Sequence, residues 1–266
     1  MRKASRFLGV FLFLLTLFST CVSASAAGSE IFFTDDADKG CFSVEYSADG
    51  VQKMKVGVAH SAGTVYYDYK PGTRATYTFT KGDGSYTVSL YRNVSGTTYC
   101  QVASRSVDVT IADALSIYRV STTEITFSAD DGVGKKAAEL CRGKASDTEK
   151  VLAIHNYIAS TFRYDDAFAA DVSSGRVRCY TPDTNAVLEA KKGVCYDFSA
   201  LFAAMCRSQG IACKLEKGYL SSGYHAWNSV YLNGSWSTVD LTRSIAKQIT
   251  AAEKLSDCTV QSGEAA

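Results

Sequence analysis

Lys192-Gly193-Val194-Cys195-Tyr196-Asp197-Phe198-Ser199-Ala200-Leu201-Phe202 carries the decisive pattern of this chain. From Cys195 onward, Phe198, Phe202 and Met205 recur at helical spacing with Leu201 beside them, and Gly210 stands just past the end as a stop. The stretch therefore reads as a buried helix with Cys195 in its first turn. Unpaired amide hydrogens and the helix dipole at that end stabilise an anion and so favour a thiolate. Gly193 is expected to permit a tight turn into the helix, because glycine tolerates backbone angles that other residues avoid. A buried structural cysteine is the competing reading for any cysteine taken alone. Cys206 and Cys213 are read that way, as core or disulfide residues.

What separates Cys195 from them lies downstream. His225 to Leu232 alternates as a strand, Asn233-Gly234 is a strong two-residue hairpin signal, and Ser235 to Asp240 alternates again. With Asn233 and Gly234 as the loop, Leu232 pairs with Ser235, Tyr231 with Trp236 and Trp227 with Asp240. His225, Trp227 and Tyr231 then share a face with Trp236 and Asp240, and Asp240 lies diagonally across from His225. Diagonal neighbours sit roughly 7 to 8 Å apart at the backbone, within reach of a carboxylate-to-imidazole bond. A carboxylate that orients a histidine, which in turn draws a proton from a thiol, is the arrangement nucleophilic catalysis requires. A structural His–Asp pair is the alternative, and a one-residue slip would turn Asp240 to the other face.

Upstream, from about Ser29 to Ile111, apolar and polar residues alternate in short runs such as Cys41 to Tyr46, Val65 to Tyr69, Ala75 to Thr80 and Tyr86 to Tyr91. Asp49-Gly50, Pro71-Gly72 and Gly82-Asp83-Gly84 mark turns. This spacing predicts a β-sandwich of immunoglobulin-like type. Its tyrosines are as well explained by strand preference as by a binding face. After about Ala112 the pattern changes. Ser146 and Glu149 form a capping box ahead of Val151, Ile154 and Ile158, which gives an amphipathic helix. His155, on that helix, is expected to be solvated or capping. The chain thus reads as an all-β domain followed by a segment of helices and a hairpin. The expected domains are a leader at 1–26, a β-sandwich at 27–112, a linker and helix at 113–145, and a catalytic domain at 146–266.

Composition bounds the partners. The 266 residues are 46% hydrophobic and 21% charged with formal net charge +1, so no electrostatic footprint for nucleic acid is present. Arg2, Lys3 and Arg6, an apolar run from Phe7 to Phe18, and Ala24-Ser25-Ala26 have the layout of a secretory signal peptide. About a dozen apolar residues fall short of the roughly 20 needed to span a bilayer. Lipid attachment at Cys21 ranks below secretion, since Phe18 and Thr20 suit a lipoprotein cleavage site poorly. Export makes disulfides admissible, and Cys41 with Cys100 is a plausible bridge within the β-rich segment. Neither the cysteine gaps nor the scattered His60, His155 and His225 suit a structural metal, and no cofactor is expected.

The block Lys192 to Phe202, then Arg207 to Ile211, His225-Ala226-Trp227-Asn228 and Val239-Asp240 resemble the core of the transglutaminase-like superfamily. The resemblance covers roughly Thr148 to Arg243, about a third of the chain. It implies a papain-like α+β fold with Cys195 as nucleophile, His225 as base and then acid, and Asp240 as orienter. It also implies an oxyanion held by the Cys195 amide and one further donor, here assigned to Tyr180, with Trp227 walling the site. Two positions depart from the family's usual pattern: Ser229 stands where Glu is common, and Leu241 where Pro often follows the aspartate. The implied activity is thioester-forming acyl transfer on amide or peptide substrates, as cross-linking or deamidation. A secreted cysteine peptidase or amidase is the alternative, and a catalytically silent surface-binding module is an alternative of another class. Expected partners are a protein or peptide substrate and, through the β domain, an extracellular or cell-wall component.

Overall fold

The computed structural model describes residues 17–18, 31–34, 36–47, 50, 53–177, 180–220 and 223–247. Apart from Leu17–Phe18, the leader expected at 1–26 lies outside the described residues. Among the described residues no helix is long and apolar enough to cross a membrane. The chain forms two compact units. One is drawn from 1–33, 44–74 and 85–108, the other from 34–43, 75–84 and 109–266.

The strands in chain order begin with β1 (Leu17–Phe18), β2 (Phe32–Phe33), β3 (Cys41–Glu45), β4 (Met54–His60), β5 (Gly63–Tyr69), β6 (Arg74–Thr78), β7 (Gly84–Ser95) and β8 (Thr98–Val109). The first unit is built on a sheet of order β1-β8-β7-β4-β5. Its register sets Gly57 of β4 opposite Tyr66 of β5 on one side and Ser89 of β7 on the other. A Cβ at Gly57 would meet the Tyr66 and Tyr91 rings at 2.9 Å each, so glycine is what lets those two rings lie over the strand. The expected Cys41–Cys100 bridge is not formed. Cys41 is a buried free thiol, while Cys100 is disulfide-bonded. Shared strand character put both cysteines in one segment, but that does not bring two side chains within bridging distance.

In the second unit, α1 (Gly132–Cys141) and α2 (Asp147–Thr161) are followed by β9 (Arg163–Tyr164), α3 (Asp166–Ser173), α4 (Thr184–Ala190), β10 (Lys192–Gly193) and α5 (Cys195–Ser208). Strands β11 (Cys213–Leu220), β12 (Gly223–Leu232) and β13 (Ser235–Val239) form one antiparallel sheet, and α6 (Leu241–Lys247) closes the described chain. Ser146 caps α2 as expected, its hydroxyl accepting the Glu149 N–H, while Glu149 accepts from Ala145 rather than from the cap residue. The core joins Val133 and Ala137 of α1, Ile154 and Ile158 of α2, Val187 of α4, Phe198 and Leu201 to Cys206 of α5, and Val230 and Val239 of the sheet.

Helix α5 differs from an ordinary amphipathic helix: every residue from Asp197 to Arg207 is buried, not one face alone. Helices α1, α2 and α4 and strands β11 and β12 pack around it. Arg207 at its far end is buried with its guanidinium donating to the Cys213 and Val120 carbonyls, so its charge faces backbone dipoles rather than water. Phe198 packs edge-on against Phe162 at 6.2 Å and lies 6.3 Å from Tyr164. Truncating such a fully buried ring costs about 3 to 5 kcal/mol. Phe198→Ala is therefore expected to lower the stability of the second unit by that amount in urea unfolding followed by tryptophan fluorescence. Both tryptophans, Trp227 and Trp236, report on that unit. A loss below about 1 kcal/mol would contradict the packing described.

Candidate functional site

The hairpin forms in the register expected from Asn233-Gly234. Both residues take positive φ, 52° and 86°, and Leu232 pairs with Ser235, Tyr231 with Trp236 and Asn228 with Val239. The regular ladder ends at Val239, so Asp240 is the first residue beyond it. Tyr231 and Trp236 meet edge-on at 5.2 Å, and the His225 and Trp227 rings lie nearly parallel at 6.2 Å, as residues sharing a face should. The alternate set faces α5: Asn228 is wholly buried and donates to the Ser199 carbonyl of that helix and to the Lys214 carbonyl of β11.

His225 Nε2 lies 3.1 Å from Asp240 Oδ2. The other carboxylate oxygen of Asp240 accepts the Arg243 N–H at 3.2 Å, and its carbonyl accepts from Ser244, so Asp240 also caps α6. One side chain thus starts a helix and grips the imidazole, which fixes its direction from two sides. Cys195 is half-exposed at the start of α5. The bond to Asp240 first, and the neighbouring Cys195 second, raise the His225 pKa to about 9 against the opposing effect of burial. Asp240 and Cys195 thus both act on the His225 ring.

The turn ahead of Cys195 is held by residues that the sequence reading passed over. Strands β9 and β10 pair in parallel, Gly193 beside Tyr164. The Asp197 carboxylate turns back to accept the Val194 N–H at 2.8 Å. Gly193 is required for space and not, as expected, for backbone freedom. It has no positive φ, but a Cβ there would come within 2.7 Å of the Asp197 Cβ and Oδ2. The signal for this was available, since an acidic residue three positions after a cap residue is half of a capping box. Tyr180, exposed by 36%, donates its hydroxyl hydrogen to Asp197 Oδ1 at 2.5 Å. It could serve an oxyanion only by leaving that carboxylate, since a phenol carries one hydrogen.

Trp227 is buried, and its indole N–H donates to Glu216 of β11 at 2.8 Å. Its ring tip lies over Gly218, where a Cβ would come within 2.9 Å. Burial above all raises the phenol pKa values of Tyr164 and Tyr224, and Cys195 adds to both. Tyr196, next to Cys195, donates to Glu124 at 2.6 Å, and Lys217 bonds the same oxygen at 2.6 Å. His155, expected in solvent or at a cap, is buried and bonded through Nε2 to Ser244 of α6 at 3.0 Å. It braces the helix that Asp240 caps.

With this geometry in hand, comparison with known proteins places the chain. Residues 134–241 match the family described as the transglutaminase-like superfamily, and the chain carries a domain of that superfamily in a mixed α/β fold. The Kyphoscoliosis peptidase of Homo sapiens is 31% identical over 151 residues, which are 52% of this chain and 21% of that protein. The Kyphoscoliosis peptidase of Mus musculus is 31% identical over 134 residues, 46% of this chain and 19% of that protein. The chain spans about a fifth of the length of these curated relatives. Among solved structures, the periplasmic domain of TgpA from Pseudomonas aeruginosa is similar with a TM-score of 0.36 at 15% identity, over 78% of this chain and 73% of that one.

The sign of the His225 shift gives a test. Its folded pKa is raised, so the stabilisation it contributes is complete below its unfolded value of 6.5 and is lost as pH rises through about 9. Asp240→Asn removes the largest cause. In histidine NMR titrations the midpoint of His225 should fall clearly below 9 in that variant, with the stability lost between pH 6.5 and 9 shrinking accordingly. An unmoved midpoint would remove Asp240 as its cause.

Proposed function

We propose that this chain is a thiol acyltransferase or hydrolase in which Cys195 attacks a carboxamide or peptide carbonyl to form a thioester. The observation that carries this reading is the His225–Asp240 pair, with the half-exposed Cys195 at the amino end of a buried helix acting on the same imidazole. An imidazole that holds its proton at neutral pH stands ready as the acid of the reaction. Attack forms the sulfur–carbon bond, and the His225 proton passes to the departing amine or ammonia. A thioester remains. Asp240 keeps the ring aimed and balances its charge. The developing oxyanion meets the Cys195 N–H, which lies in the first helical turn where amide hydrogens lack a carbonyl partner. Trp227, stacked beside His225, walls off one side of the ring.

Transfer to an amine gives cross-linking, and transfer to water gives deamidation or cleavage. Hydrolysis is the second reading, and what favours it is the peptidase name carried by the 31%-identical relatives. The leader-like residues 1–26 support an exported enzyme, and the strand-rich segment at 27–112 is read as an immunoglobulin-like module that meets an extracellular or cell-wall partner.

Incubating the protein with glutamine-containing peptides and a primary amine, with mass spectrometry, separates the outcomes. Amine incorporation, loss of ammonia and chain cleavage each have a distinct mass. Cys195→Ser is expected to abolish every one of them with the fold intact, because an alkoxide is far harder to form than a thiolate. Full turnover by that variant would remove the nucleophile assignment. In parallel, iodoacetamide labelling of Cys195 at neutral pH should drop by roughly tenfold or more in His225→Ala. Equal labelling of both proteins would favour a silent scaffold.

A further inference from the structure

The buried Asp197 has both carboxylate oxygens engaged at the start of α5, one by the Val194 N–H and the other by the Tyr180 hydroxyl. Val194 is the residue before the nucleophile. Its carbonyl accepts the Phe198 N–H at 3.1 Å, so it is held at its nitrogen by Asp197 and at its oxygen by the helix. The Val194 carbonyl shares a peptide plane with the Cys195 N–H, and the tie at the Val194 nitrogen fixes the residue on the other side of its Cα, so the two ties together set where the Cys195 N–H points. Gly193 leaves the space that the Asp197 side chain fills.

A cap alone does not require Tyr180. An aspartate at this position can hold the Val194 N–H by itself, yet a tyrosine reaches in from the segment before α4 to take the second oxygen. Burial pushes the Asp197 carboxyl up toward its protonated form, and the Tyr180 bond opposes that. The tyrosine is itself held protonated, first by burial and then by Asp197, so it remains the donor. The hydroxyl thus keeps the carboxylate an acceptor for Val194. Having given its hydrogen to Asp197, Tyr180 acts through the carboxylate and not on the substrate.

We propose that Tyr180 and Asp197 are a positioning pair that aims the Cys195 N–H at the oxyanion formed when Cys195 Sγ adds to an acyl carbonyl. The proposal rests on Cys195 being the nucleophile. It assigns to the pair the geometry of the acyl transition state and no part in activating the thiol.

Two probes of the full chain separate these roles. With p-nitrophenyl acetate, the sulfur–acyl bond forms through a tetrahedral oxyanion and the carbon–oxygen bond to p-nitrophenolate breaks. With iodoacetamide, a sulfur–carbon bond forms as iodide leaves, and no oxyanion arises. Rates are taken per titrated Cys195 thiol, so loss of folded protein does not enter. Tyr180→Phe is expected to slow acylation by at least about tenfold while changing alkylation by less than about twofold, since misaiming one oxyanion donor costs a part of its roughly 100-fold contribution. Asp197→Asn should do the same, and the double variant should be no slower than Asp197→Asn alone, as for two residues acting in one chain. Where Asp197→Asn fails to fold, Tyr180→Phe decides. Acylation and alkylation falling together, or neither changing, overturns the positioning role and leaves the nucleophile reading standing. Wild-type protein that p-nitrophenyl acetate does not acylate at Cys195 overturns both.

Discussion

Burial of α5 on all sides is the constraint on which the second unit depends. Residues Asp197 to Arg207 contribute no polar face to solvent, so the helix runs through the interior. Such a helix meets water only at its ends, and at its amino end the unpaired amides and the positive pole of the dipole have to find a use. Here that end is met by the Asp197 carboxylate, which returns to the Val194 N–H, and by the sulfur of Cys195. Each buried phenylalanine and leucine on the helix adds about 1.5 to 3 kcal/mol of transfer free energy. That burial is what holds the amino end rigid against the sheet that carries His225.

The second fixed point is Asp240, which belongs to a helix and to the imidazole at once. Its position one residue past the end of β13 places it where a cap for α6 is needed, and capping commits one oxygen and leaves the other for His225. The same fact explains why Leu241 causes no distortion where proline often stands in the family. That position is the first turn of α6, where a backbone N–H is not required, so a proline and a leucine both suit it. Leu241 adds a buried side chain to the core, and Ser229, where glutamate is common, sits almost buried in the ladder opposite Lys214 and Thr238. Behind α6, the bond between His155 and Ser244 carries the bracing back to α2.

How much of this was legible in the sequence follows from the range of each interaction. Asn233-Gly234 dictates a turn, the turn dictates register, and register sets Asp240 near His225, so a contact fifteen residues apart could be read as a local matter. Helix α5 was legible because its apolar residues recur with helical period. That it is buried all round was not, because Ser199, Ala200 and Ala203 look neutral until neighbours close over them. Contacts that join distant segments left little local trace. Glu124 meets Tyr196 and Lys217 across 72 and 93 positions, and His155 meets Ser244 across 89. The short parallel pairing of β9 with β10 was hidden for the same reason, two residues being too few to show a period. Asp197 is different: its capping position is local and readable, whereas the space it takes beside Gly193 follows only from the way its side chain turns back.

The cysteines show how one functional group acquires different chemistry from place alone. Among the described residues Cys41, Cys141, Cys195, Cys206 and Cys213 are free thiols, and all but Cys195 are buried. Burial pushes the Cys41 thiol up to about 11 and raises those of Cys141 and Cys206, since an anion without solvent or a cation is costly in apolar surroundings. Cys206 lies on the same helix as Cys195, three turns further on in its last turn, where the dipole disfavours an anion, and it is wholly buried. Spacing along the chain could not rank these thiols, because both sit in apolar helical sequence. What ranks them is the helix terminus and the strand that crosses it. What sets Cys195 apart is the place where a buried helix surfaces, and a sequence discloses that place only through the turn residues and the hairpin around it.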